Sequence, residues 1–295
     1  IIALLPITPH DDRIINLVLH KLRQEKLHYA ELRTVIPHHF TSSEINMYLS
    51  MLASSCEKVM IPGKRKYVIS LSLPRHIHIA TQQYKAIHNW LLENIKLAPF
   101  ITSVDISGFE ENTLPQDLST LYQNIHQNNQ KHPSCALAIL VHAGETFNKI
   151  SIMSSIRRVW QTIDLGIHRI GHALSAGTDP TFLKGKLIRE KKDERIHHLK
   201  WLQKNKHCLL PHGYKFCAKE VSDELCSLRK SKAESISIKM QTSTIDNILA
   251  LQEATLEKIH SSKVIIESCP SSNLRLGKIQ NIRRHPIKRF LKHDL

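Results

Sequence analysis

No uninterrupted apolar stretch of this sequence approaches the ~20 residues of a membrane-spanning helix, so none is expected. The opening Ile1-Ile2-Ala3-Leu4-Leu5 is too short, and lacks the basic flank, to be a secretory signal. Nine glycines and twelve prolines in 295 residues exclude a collagen-like or low-complexity chain. The six cysteines (56, 135, 208, 217, 226 and 269) contain no CxxC pair and no dense framework, which reads as reduced thiols in a cytoplasmic protein. Cys208, Cys217 and Cys226 recur every nine residues, but no histidine spacing completes a zinc site around them. Aromatic residues are scarce at 5%, and no stacking platform of the RNP or OB type interleaves the basic residues.

Hydrophobic residues at 41% and charged residues at 23% fit a folded core. Acidic residues are the minority charge, and the formal balance is +15. From Lys184 to Met240 there are 15 Lys and Arg against 7 Asp and Glu, a net of +8 from one stretch. A second basic cluster comprises Arg275, Lys278, Arg283, Arg284, Lys288, Arg289 and Lys292. Such fields attract anions (nucleotides, nucleic acid, acidic partners) without selecting among them, and a solvated face explains any single lysine. Twenty histidines are many, and most are expected to be surface or hydrogen-bonded residues.

Short apolar strands alternate with amphipathic helices. Strands are predicted at Tyr29–Thr34, Lys66–Leu73, Ser103–Ser107, Ala136–Val141, Arg169–Gly171 and Lys263–Glu267, several of them continuous apolar runs suited to burial on both faces. Thr41-Ser42-Ser43-Glu44 reads as a capping box ahead of Ile45, Leu49 and Leu52. Helical stripes follow at Ala80, Tyr84, Ile87 and Leu91, and at Leu118, Leu121, Tyr122 and Ile125. Another joins Ile152, Ile156, Val159, Trp160 and Ile163, closed by Gly166, and a last one joins Ile245, Leu249, Leu256 and Ile259. Repeated strand–helix units favour a parallel sheet with helices outside, a (β/α)8 TIM-type barrel two strands short of closure. An open doubly wound sheet is the alternative, weakened because neither common Gly-rich phosphate loop is present. Residues 178–243 break the rhythm and are expected to form a basic, helical insertion within a single barrel domain covering 1–295. The chain opens on Ile1 rather than methionine and stops at Lys292-His293-Asp294-Leu295, which reads as a piece of a longer protein.

The sharpest chemical signal is the apolar run 136–141 followed by His142-Ala143-Gly144-Glu145. The C-terminal end of a barrel strand is where chemistry is placed. A neutral imidazole there can ligate a metal, Ala143 and Gly144 let a substrate approach the backbone, and Glu145 can shuttle a proton. Taken alone, the tetrapeptide fits a helix N-terminus with a dipole-stabilised glutamate equally well. Arg169-Ile170-Gly171-His172-Ala173 repeats the design in the next unit, and Glu267-Ser268-Cys269-Pro270-Ser271-Ser272-Asn273 repeats it again. Val104-Asp105-Ile106-Ser107-Gly108-Phe109-Glu110 ends a strand at a glycine suited to close approach of a ligand.

These motifs, in this order, resemble the metal-dependent adenosine deaminase family of the amidohydrolase superfamily. The resemblance spans roughly residues 29–290. It rests on DISGFE at 105–110, HAGE at 142–145, RIGHA at 169–173, ESCPSSN at 267–273 and His285-Pro286-Ile287 ahead of a terminal strand. Tyr29-Ala30-Glu31-Leu32-Arg33 is similar to the family's second-strand Y-x-E-x-R. The resemblance implies a zinc-dependent hydrolase that converts an adenine nucleoside or nucleotide to its inosine form with release of ammonia. His142 would be a zinc ligand, Glu145 the acid that protonates purine N1, and His172 the residue that orients and deprotonates the attacking water. Gly108 would offer its backbone N–H to the purine, with Gly144 beside it as a substrate-binding position. The family's first-strand HxH and last-strand aspartates have no counterpart. Pro9-His10-Asp11 is not strand-borne, and Asp294 follows His285-Pro286 too closely, so one of four expected zinc ligands is present. The 95 residues between His172 and Glu267 exceed one strand–helix unit. Gly177-Thr178-Asp179-Pro180 and His198-Leu199-Lys200-Trp201-Leu202 within them resemble large bacterial relatives, including the deaminase subunit of the RADAR antiphage system. That likeness implies a homo-oligomer or larger assembly in antiviral defence. The competing functions are a basic nucleic-acid-binding module and a metal-free scaffold subunit that keeps the barrel without catalysis.

Overall fold

The computed structural model describes residues 11–147, 150–276, 279 and 281–295. The chain separates into two compact units, one of residues up to Phe109 together with Asp117–Val141, the other of Glu110–Gln116 and His142–Leu295.

The first unit is built on four strands, β1 (Tyr29–Val35), β2 (Lys66–Pro74), β3 (Ile101–Ser107) and β4 (Ala138–Ala143). They lie in the order β1-β2-β3-β4 and every neighbouring pair is parallel. Parallel neighbours need a crossover, and each gap supplies a helix: Ser42–Val59, Ile77–Glu93 and Ser119–Lys131. The first starts as its sequence predicts, with a reciprocal capping box between Thr41 and Glu44. Residues 67–73 of β2 are buried throughout, Ser70 and Ser72 included, as expected for a parallel strand covered on both faces. Three polar contacts tie this sheet together. Ser103 Oγ donates to Glu31, and Arg33 Nε lies 3.2 Å from Asp105 Oδ2, which also accepts from Ser72 Oγ at 3.2 Å. The Tyr29–Arg33 motif is therefore engaged, within this unit, in holding β1, β2 and β3 in register.

Strand β4 is common to both units. Its residues 138–141 pair with β3, whereas His142 and Ala143 belong to the second unit, where the Ala143 carbonyl accepts from Ala173 N–H at 3.1 Å. There follow β5 (Arg169–His172), β6 (Leu187–Lys191), β7 (Ser235–Lys239) and β8 (Ile265–Glu267). β5 and β8 are parallel, with Arg169, Ile170 and Gly171 facing Ile265, Ile266 and Glu267. The protein is thus mixed α/β with parallel strands joined by helices, consistent with an incomplete TIM-type barrel.

The segment 178–243 departs from its expected helical form. It contains the helices Lys192–Leu209 and Ala218–Lys230, but also β6 and β7, which pair antiparallel. Leu187-Ile188-Arg189-Glu190-Lys191 and Ser235-Ile236-Ser237-Ile238-Lys239 are half-buried strands whose charged and hydroxyl side chains hide the apolar signal. The segment lies inside the second unit, and its Leu199, Trp201, Leu202, Leu225 and Leu228 join Ile156, Trp160 and Ile248 in one apolar core. Trp160 and Trp201 meet edge to face there, with ring centroids 5.5 Å apart. In the helix Thr242–Ser261, Ile245, Leu256 and Ile259 of the expected stripe are buried, whereas Leu249 is 36% exposed and Ile248 is buried in its place. His285-Pro286 leads into a short helix, Ile287–Lys292. Pro9 and His10, and Lys278 of the second basic cluster, lie outside the described residues. Among the described residues no helix is long and apolar enough to cross a membrane.

Candidate functional site

The site belongs to the second unit and begins where β4 ends. Gly144 has φ +71°, and a β-carbon there would sit 2.7 Å from both Ser175 Oγ and Val159 Cγ2, so glycine is required twice over. The buried Glu110 carboxylate grips the turn from both sides. Its Oε2 accepts from Gly144 N–H at 2.8 Å and its Oε1 from Thr146 N–H at 3.1 Å. Glu145 lies between these two anchored amides, so its backbone has little freedom.

β5 supplies the other wall. Gly171 leaves room for the His142 ring, which a β-carbon at 171 would meet at 3.2 Å. The next two residues, His172 and Ala173, have φ of +71° and +48°. Successive non-glycine residues in the left-handed region cost about 1–3 kcal/mol each and persist where their surroundings hold them. Here Ala173 N–H donates to Ala143 and Ser175 N–H to Gly144, the latter at 2.9 Å. The strained turn swings the His172 ring to 5.2 Å from that of His142, centroid to centroid, and puts its Nε2 3.3 Å from Glu145 Oε1. Burial pushes the Glu145 carboxyl above its ordinary range; the nearby His142 opposes that rise and Glu110 adds to it.

Behind His172 a buried relay continues from the Nδ1 side of the ring, away from Glu145. Asn273 Nδ2 is 2.8 Å from His172 Nδ1, Asn273 Oδ1 is 3.0 Å from His285 Nε2, and Ile287 N–H donates to His285 Nδ1 at 3.1 Å. Arg169 Nη1 bridges to Glu267 Oε1 at 2.7 Å, fastening β5 to β8 just below. A second layer supports Glu110. Arg158 forks onto Glu194, Nε to Oε1 at 2.9 Å and Nη2 to Oε2 at 2.6 Å, and its Nη1 donates to the carbonyls of Glu110 and Thr113. Arg157 pairs with the same Glu194. Burial alone would raise the Glu194 carboxyl, but the two guanidiniums outweigh it and hold it below its ordinary value.

The structure therefore brings His142, Glu145 and His172 together, with Gly144 as the hinge between the first two. Gly108 lies in the other unit, at the end of β3. It is exposed, has φ +102° and open space where a β-carbon would point, and its carbonyl accepts from Arg75 Nε at 3.3 Å. A resident zinc is not matched by this set. Among the described residues no group of three or more His, Cys, Asp or Glu could hold a metal ion, and His142 is the sole expected ligand present.

Sequence reasoning gave no role to Asn273, His285 or Glu110, although all three lie inside the motifs it singled out. Arg158 and Glu194 carried no signal at all, because a charged residue on an amphipathic helix ordinarily faces water.

No family model matches the chain, and no curated protein matches it. Among solved structures it is similar to the crystal structure of an adenine deaminase from Arthrobacter aurescens, with 13% identity and a TM-score of 0.49 over 97% of this chain and 60% of that one. The chain thus spans about 60% of the length of that deaminase.

Proposed function

We propose that the second unit carries the site of a hydrolytic deaminase that acts on the exocyclic amine of an adenine nucleoside or nucleotide. The observation that carries this reading is the Glu145–His172 pair: a carboxyl raised above its ordinary range, 3.3 Å from an imidazole nitrogen, with His142 alongside. A carboxyl raised above its ordinary range holds a proton more readily, which suits a general acid. Glu145 gives that proton to a ring nitrogen of the purine, which makes the adjacent amine-bearing carbon electrophilic, while His172 orients the water that adds to it. The Glu145 carboxylate left by that transfer takes the proton of the adding water and passes it to the amine, which departs as ammonia while the new hydroxyl returns its proton to Glu145 as the carbonyl forms. Zinc would supply a more acidic water if bound, but of a zinc set the described residues offer His142 alone, and no step here runs through a metal.

The test is incubation of the full-length protein with adenosine, dATP, ATP and RNA, following ammonia. Release from an adenine nucleoside or nucleotide, lost by about 10²–10⁴-fold in Glu145→Gln, is the expected result. No turnover on any of the four, in protein that melts cooperatively, overturns the proposal. Salt-sensitive RNA binding without turnover would favour a nucleic-acid-binding module instead.

A further inference from the structure

The relay behind His172 has a direction, and a main-chain amide sets it. The Ile287 N–H can only donate, so His285 Nδ1 is an acceptor and carries no proton. Neutral His285 then bears its hydrogen on Nε2 and donates it to the Asn273 side chain, whose facing atom must be the carbonyl oxygen. The amide nitrogen of Asn273 is thereby turned toward His172, and it too can only donate, so His172 Nδ1 accepts. The remaining proton of neutral His172 is left on Nε2, the atom 3.3 Å from Glu145. A reversed Asn273 amide would set N–H against N–H at His285, so the orientation does not depend on telling oxygen from nitrogen.

We propose that Asn273 and His285 are positioning residues that lock His172 in the Nε2–H tautomer, so that it presents a hydrogen-bond donor, and no base, to the site. All three side chains are buried, with Asn273 at 0% exposure, so water does not compete for these bonds. Burial also pushes His285 below its ordinary value, in keeping with a neutral ring. The proposal deepens the deaminase reading and rests on it for the identity of the donor's target. His172 then holds the attacking water through an N–H directed at its oxygen, and the water's proton goes not to Nε2 but to the Glu145 carboxylate left when Glu145 protonates the ring nitrogen. This replaces the deprotonating role expected from the family resemblance.

The experiment reads the tautomer directly, by ¹⁵N chemical shifts and two-bond ¹H–¹⁵N couplings of the His172 ring in the labelled full-length protein, assigned with His172→Gln. The expected wild-type pattern is protonated Nε2 with Nδ1 bare. In Asn273→Asp the carboxylate accepts from both rings, and the pattern inverts to Nδ1–H. A wild-type ring found as Nδ1–H, or an unchanged Nε2–H ring in a cooperatively melting Asn273→Asp, overturns the proposal. The wild-type spectrum decides without any variant if Asn273→Asp fails to fold. Ammonia release assayed in parallel separates the two readings. A bare Nδ1 in a protein that deaminates nothing supports the relay and removes the activity; an Nδ1–H ring in an active enzyme removes the relay alone.

Discussion

The ring of His142 lies across the α-carbon of Gly171, where an added β-carbon would meet Cδ2 at 3.2 Å and Cγ at 3.3 Å. That spacing asks the ring to yield by a few tenths of an ångström without breaking the strand. Gly171→Ala is therefore expected to leave the unfolding midpoint within a few degrees and to lower turnover about tenfold, since small displacements of reacting groups are expensive. Gly144→Ala, by contrast, meets two atoms at 2.7 Å with φ at +71° and is expected to destabilise by about 2–3 kcal/mol. Paired thermal melts and ammonia assays check both.

Glu110 spends both carboxylate oxygens on the main chain flanking Glu145. Glu110→Gln keeps one acceptor and presents an amide nitrogen to the other N–H. About 1–3 kcal/mol of stability is expected to go with the orphaned amide. The rate should fall about 10–100-fold as the Glu145 turn loosens, with KM little changed. A rate unchanged in a folded variant would show that the turn holds itself.

Glu194 neutralises two buried guanidiniums, those of Arg157 and Arg158. Removing one partner of a buried charge cluster leaves the others uncompensated, so Glu194→Gln is expected to cost about 3–5 kcal/mol in urea titrations. Glu194→Asp, which keeps the charge but shortens the reach, should cost less.

His198 is fully buried, stacked against Trp201, and neither ring nitrogen has a hydrogen-bond partner among the described residues. Burial, reinforced by Arg195 and Arg157, pushes its pKa well below the ordinary 6.5. The folded ring stays neutral while the unfolded one takes a proton below that ordinary value, so the unfolded state binds more protons. Stability is then complete above about pH 6.5 and falls as the solution is acidified, by up to ~1.4 kcal/mol per pH unit for one proton. Urea unfolding at a series of pH values should show this slope in the wild type and a flatter one in His198→Phe.

The central parallel strands were legible because burial on both faces writes apolar residues side by side, as in Ile139-Leu140-Val141. β6 and β7 were not, since Arg189, Glu190 and Lys191 mask a strand that uses one face. The proposed reacting pair stood out by position, His172 as the last residue of β5 and Glu145 two residues past the end of β4. Asn273 and His285 were quoted within motifs yet stayed mute: a buried amide between two imidazoles is a relation across 101 and 12 residues of sequence, and spacing does not encode it. The Arg158–Glu194 fork was hidden for the same reason, its partners being 36 residues apart on separate helices.

Because the donor that opens the Ile287–His285 hydrogen bond belongs to the peptide unit, the side chain at 287 has no vote in which nitrogen of a distant imidazole is protonated. Evolution can exchange that isoleucine for nearly anything without disturbing the polarity of the chain beyond it. Proline, which brings no amide hydrogen, is the exception, and a natural or engineered proline there would silence the relay while every side chain in it stayed intact.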